Sequence, residues 1–203
     1  MKSLFIQVKS KQSLDENLLP EILKELPKNI IIAYSIQYKE LASEIKDKLS
    51  KTKNILSIIQ VLGCSQPKIP KSTQAILLIS DGKFHGTSLA LETGKPVYVF
   101  NGSKLEQISE SDINKLKQQK KISYMKYLHA DKVGILISTK PGQQNLNKAI
   151  DIKKQLKKES YLFICNNVNT TEFENFPQIQ SWINTACPRL DLQTNKLINI
   201  SKI

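Results

Sequence analysis

The chain has 203 residues, with 30 Lys and Arg against 18 Asp and Glu for a formal charge of +12, and it is 40% hydrophobic and 24% charged. Those proportions exclude disorder as the default and fit one large domain or two compact ones. Three widely spaced cysteines, Cys64, Cys165 and Cys187, exclude a secreted disulfide framework and leave free thiols or metal ligands in a reducing, cytoplasmic setting. The apolar stretch at 4–8 is too short for a signal peptide, and the runs at 30–33 and 75–79 are too short to span a bilayer, so neither export by that route nor membrane insertion is expected. Most of the positive charge is Lys scattered over helix-like stretches, and Arg189 is the only arginine. Base readout and bidentate phosphate clamps lean on arginine. Direct sequence-specific nucleic-acid binding is therefore not expected; solvated helix faces, or steering toward an acidic or RNA-bound partner, account for the excess.

In chain order, 29–36 and 55–61 are strand-like apolar runs, and between them Leu41, Ile45 and Leu49 recur at helical spacing on one face. The segment 75–80 reads as a buried strand, 82–86 as a glycine-bearing turn, 87–92 as a short helix and 96–101 as a strand. A long helix follows over 109–130, with Ser109 or Ser111 as its cap. A second series then reads strand 133–138, turn 140–142, helix 146–156 and strand 161–165, with a last strand at 180–185. This alternation predicts an α/β fold of two related lobes, each a small parallel sheet flanked by helices. The lobes are expected at 1–106 and 107–203, and segments 30–64 and 134–165 form a faint internal repeat. Ligands of such sheets collect at the carboxyl ends of the strands, so the chemistry is expected on the loops that follow them.

Those loops are chemically dense. They carry Cys64 at 61–64, Gly82 and His85 at 80–86, Ser138, Lys140, Gly142 and Gln143 at 138–143, and Cys187 at 184–189. Taken singly, a free cysteine is most often a small buried hydrophobe. Two at strand ends of separate lobes also suit an iron-sulfur or zinc site, although no CxxC spacing supports either. His85 reads equally as a ligand, an acid-base group, a substrate contact or a structural residue. The turn at 140–143 before a helix suits an anion such as a carboxylate, or is a plain connection. His129, Trp182 and Cys165 read as structural.

Together these loops carry a resemblance. Gln60-Val61-Leu62-Gly63-Cys64, then Asp81-Gly82-Lys83-Phe84-His85 continuing to Leu89-Ala90-Leu91-Glu92-Thr93-Gly94-Lys95-Pro96-Val97, then Ser138-Thr139-Lys140-Pro141-Gly142-Gln143, then Asn184-Thr185-Ala186-Cys187-Pro188-Arg189 resemble, in order, motifs of the diphthamide synthase family. The resemblance implies three related α/β domains around a 4Fe-4S cluster, each giving one cysteine; Cys64 and Cys187 match those of the second and third domains. It further implies that S-adenosylmethionine is cleaved reductively and that its 3-amino-3-carboxypropyl group is added to a histidine of translation elongation factor two. Gly82, His85, Ser138, Lys140, Gly142 and Gln143 would then shape the pocket for the amino-acid end of S-adenosylmethionine. Against that pattern the family's first domain and its cysteine are missing. A second chain supplying that domain is the expected remedy, ahead of a homodimer or Cys165 as the third thiolate. The alternative is a non-catalytic subunit that recognises the elongation factor.

Overall fold

The computed structural model describes residue 6, residues 8–62 and residues 67–199. They form two compact units, 1–114 and 115–203. In the first unit β1 (Asn29–Tyr34) and β3 (Ala75–Ile79) are central, flanked by β2 (Asn54–Gln60) and by β4 (Val97–Phe100), which pairs in turn with β5 (Leu105–Gln107). The order is β2-β1-β3-β4-β5, with every pairing parallel except β4 with β5. A strand buried on both faces is apolar throughout, and β3 is Ala-Ile-Leu-Leu-Ile with all five residues buried. Helices α1 (Leu19–Glu25) and α2 (Lys39–Leu49) lie on one side of the sheet. Leu41, Ile45 and Leu49 of α2 are all buried there, as their spacing predicts. On the other side α3 (Phe84–Thr93) packs Leu89 and Ala90 against Ile76 and Leu78.

The second unit repeats this plan. Strands β6 (Lys132–Ser138), β7 (Glu159–Cys165), β8 (Ser181–Asn184) and β9 (Leu197–Asn199) form an all-parallel sheet in the order β7-β6-β8-β9. In each unit the second strand lies outside the first and the third and fourth lie on its other side. The repeat expected between 30–64 and 134–165 therefore corresponds to β1-α2-β2 and β6-α5-β7, with α5 at Leu146–Gln155. One face is covered by α5 and by the long helix α4 (Glu110–His129), the other by a cluster of Phe163, Phe173, Phe176 and Trp182. Ser109 caps α4: its Oγ accepts from the Asp112 N–H at 3.1 Å and donates to the Asp112 carboxylate at 2.8 Å. The sequence reading divides the chain at 106/107, within β5, whereas the units divide within α4, whose Ile113 packs on the first core.

Among the described residues, three α-helices and strands go beyond the expected set. Helix α1 has seven residues and strands β5 and β9 three each, too short to establish a period. Strand β9 means that 180–185 is not the last strand of the chain.

Candidate functional site at the carboxyl edges of the sheets

The parallel strands of each unit end on a common edge, where the following loops gather polar groups. In the first unit Ser35 and Ser80 come directly after the register pair Tyr34↔Ile79 of β1 and β3, and the Ser35 N–H donates to the Ile79 carbonyl at 3.1 Å. Both are buried, as is Ser88 of α3, and their hydroxyls have no partner among the described residues. An unmet buried hydroxyl costs roughly 1–3 kcal/mol, so this edge retains hydrogen-bonding capacity for water or a ligand. Gly82 turns the chain at φ 66, a left-handed conformation open to glycine without strain. Helix α3 then starts at Phe84, which moves half-buried His85 from the expected loop into the first helical turn.

Tyr38 steadies this loop. It is 3% exposed, and burial together with its hydrogen bond to the Asp81 carboxylate pushes the phenol up to about 12. The sign follows from linkage: between about pH 10 and 12 the unfolded chain loses this proton while the folded chain keeps it, so stability falls as pH rises through that window. The stability advantage of wild type over Tyr38→Phe in urea titrations is expected to shrink between those limits, and a constant advantage would rule out this origin.

The edge of the second unit is tied together more tightly. At the end of β6 the hydroxyl of Ser138, 1% exposed, donates to the Asn166 carbonyl at 3.3 Å and accepts from the Lys140 N–H at 3.1 Å. Its hydroxyl proton is thereby used within the protein, so Ser138 shapes the turn. Lys140 and Gly142 are exposed and Gln143 is half-buried, with Gly142 at φ 77 and the Gln143 N–H bonded to the Lys140 carbonyl at 3.0 Å. Asn145 precedes α5 without capping it; its side-chain amide donates to the Thr185 carbonyl at 2.6 Å, joining this turn to the loop after β8. That loop carries Cys187, half-buried, directly before the 3-10 turn Pro188–Leu192.

Cys165 is the last residue of β7, with Sγ 3.9 Å from the Ile137 carbonyl. Burial, and then the charge of Glu172, push its thiol up. Cys64 lies outside the described residues, with Gly63, Ser65 and Gln66. Among the described residues no three His, Cys, Asp or Glu side chains gather to hold a metal ion, so a thiolate centre would need sulfur from beyond this set. The donor chemistry nevertheless suits an iron-sulfur cluster: Cys187 is a soft ligand on a strand-end loop. Trp182 is 1% exposed in the core, as expected, whereas His129, the last residue of α4, is exposed. Sequence reasoning overlooked Tyr38 and Ser35 and gave the buried Asn184, quoted only within its motif, no role of its own; a polar residue at or just past the end of an apolar strand was the available signal for the latter two.

Among the described residues no helix is long and apolar enough to cross a membrane. The sequence profile of the diphthamide synthesis protein family matches residues 1–197. The chain is 30% identical over 201 residues to a 2-(3-amino-3-carboxypropyl)histidine synthase of Pyrococcus horikoshii, covering 93% of this chain and 58% of that protein. It is 28% identical over 217 residues to a 2-(3-amino-3-carboxypropyl)histidine synthase subunit 1 of Schizosaccharomyces pombe, covering 95% of this chain and 49% of the relative. The chain thus spans about half the length of these curated relatives. Crystal structures of Dph2 from Pyrococcus horikoshii, one of them with a 4Fe-4S cluster, match 96% of this chain and 62% of theirs with a TM-score of 0.80 and 26% identity. By the profile match over nearly its whole length, the chain belongs to the diphthamide synthesis protein family.

Proposed function

We propose that this chain is a component of a 2-(3-amino-3-carboxypropyl)histidine synthase that moves the 3-amino-3-carboxypropyl group of S-adenosylmethionine to a histidine of elongation factor two. The observation that carries the reading is Cys187 on an anchored strand-end loop, in a chain that matches a 4Fe-4S-bound relative over 96% of its length. Cys64 and Cys187 hold the cluster. Bound there and reduced by an external one-electron donor, the cluster would supply the electron that cleaves a carbon-sulfur bond of the co-substrate. Each unit brings its own candidates for the amino-acid end of S-adenosylmethionine: Gly82 and His85 in unit 1–114, and Ser138, Lys140, Gly142 and Gln143 in unit 115–203. Within the second set, the exposed Lys140 ammonium meets the carboxylate and Ser138 fixes the turn that presents it. The two units correspond to the second and third domains of the family, and the third thiolate comes from outside them, from a chain that carries the first domain or from a second copy of this one. The complex works in the cytoplasm, where thiols stay reduced.

Anaerobic iron-sulfur reconstitution of the chain, with and without a candidate first-domain chain, tests the proposal by absorbance and electron paramagnetic resonance. A cluster that is stable only with the partner is expected; no cluster in either case would remove the thiolate assignment. A complex that carries out the transfer with neither Cys64 nor Cys187 required would instead make the chain a non-catalytic subunit that recognises the elongation factor.

A further inference from the structure

Two side-chain amides, Asn184 buried and Asn199 half-buried, hold the backbone around Cys187. Asn184, the last residue of β8, is 2% exposed. Its Nδ2 donates to the Cys187 carbonyl at 2.7 Å and to Asn199 Oδ1 at 2.7 Å, and its Oδ1 accepts from the Ala186 N–H at 2.9 Å. Asn199 ends β9 in register with Asn184. Its own Nδ2 donates to the Pro188 carbonyl at 2.7 Å and to Asp191 Oδ2 at 2.8 Å. Asp191, 7% exposed, also pairs with Lys120 at 3.3 Å. Peptide groups before and after the Cys187 Cα therefore end on side chains seated at adjacent strand ends.

The chemistry of the clamp is specific to an amide. Asn184 uses both Nδ2 protons and its oxygen at once, a combination that neither a carboxylate nor an aliphatic side chain offers. These bonds engage backbone atoms of 186–188 and leave Sγ out of the clamp. We infer that Asn184, backed by Asn199 and Asp191, is a positioning residue that fixes the direction in which Cys187 presents its sulfur. The role of that sulfur as a cluster ligand rests on the function proposed above, but the clamp itself does not. Outer partners of this kind orient the ligand they hold.

Alkylation of the full chain by iodoacetamide under anaerobic native conditions, resolved by peptide mass spectrometry, tests the clamp. Cys165 on β7 serves as the internal reference. Asn184→Ala is expected to raise the Cys187 rate about tenfold relative to Cys165, the effect of losing hydrogen bonds that resist local opening. Asn199→Ala is expected to raise it less, because the Asn184 bonds to Ala186 and Cys187 survive; this variant also serves if Asn184→Ala fails to fold. A parallel rise at both cysteines would show that the amides support only the fold of the unit and would overturn the inference, as would an unchanged Cys187 rate. In the reconstituted complex Asn184→Ala is expected to shift the paramagnetic signature of the cluster. Faster alkylation with that signature unmoved would keep the clamp and withdraw Cys187 from the ligand set.

Discussion

Cys187→Ala is expected to abolish the cluster absorbance and the transfer activity of the assembled complex, while Cys165→Ala leaves both intact. Removing an outer partner of a metal ligand costs roughly 10–100-fold in affinity or activity, so loss of a ligand itself should exceed that. The contrast between the two thiols comes from where they sit. A thiol must lose its proton to bind iron, and burial with the nearby Glu172 charge pushes Cys165 the wrong way. Cys165 is also part of the β7 ladder, its carbonyl accepting from the Thr139 N–H at 2.9 Å, whereas Cys187 stands in a loop. The shared strand order makes β7 the counterpart of β2, so the likeness of Cys165 to Cys64 is one of chain position: β2 ends at Gln60, four positions before Cys64 in the sequence, whereas Cys165 is the last residue of β7. Activity measured with the partner chain present, alongside absorbance, decides the matter. Activity and absorbance surviving Cys187→Ala would withdraw the assignment, and their loss in Cys165→Ala would make Cys165 the missing third ligand.

The alternation of strands and helices was legible because the central strands are uninterrupted apolar runs, such as Ile30 to Ala33 within β1, and because α2 repeats Leu41, Ile45 and Leu49 at its own period. Elements of three residues were not, since β5 and β9 exist by pairing with β4 and β8 and carry no pattern of their own. The same limit hid the scaffolding of the candidate site. Motif order singles out Cys187, but the bonds that hold its loop run from Asn184 to Asn199, fifteen residues on, through a strand pairing that no local signal announces. His85 was misjudged more mildly: the turn at Gly82 is tight enough for α3 to begin before it.

The largest structural effect is expected at Trp182. Its ring is 1% exposed, stacks on Phe173 with centroids 4.3 Å apart and meets Phe163 edge-on at 4.6 Å. Emptying such a site by Trp182→Ala costs about 3–5 kcal/mol, and for a unit of this size each kcal/mol lowers Tm by about 4–8 °C. Gly134 of β6, in register with Trp182, makes the space for the ring: a Cβ there would lie 2.5 Å from Trp182 Cε3 and 3.1 Å from Phe163 Cε2. Gly134→Ala should therefore cost about 1–3 kcal/mol by overpacking, because aromatic rings held on both sides cannot yield. If the ring is the obstacle, Gly134→Ala should cost clearly less in a Trp182→Leu background than in wild type, a coupling that urea titrations of the four proteins would measure. Strictly additive losses would mean that Gly134 is needed for the backbone of β6 and not for the indole it faces.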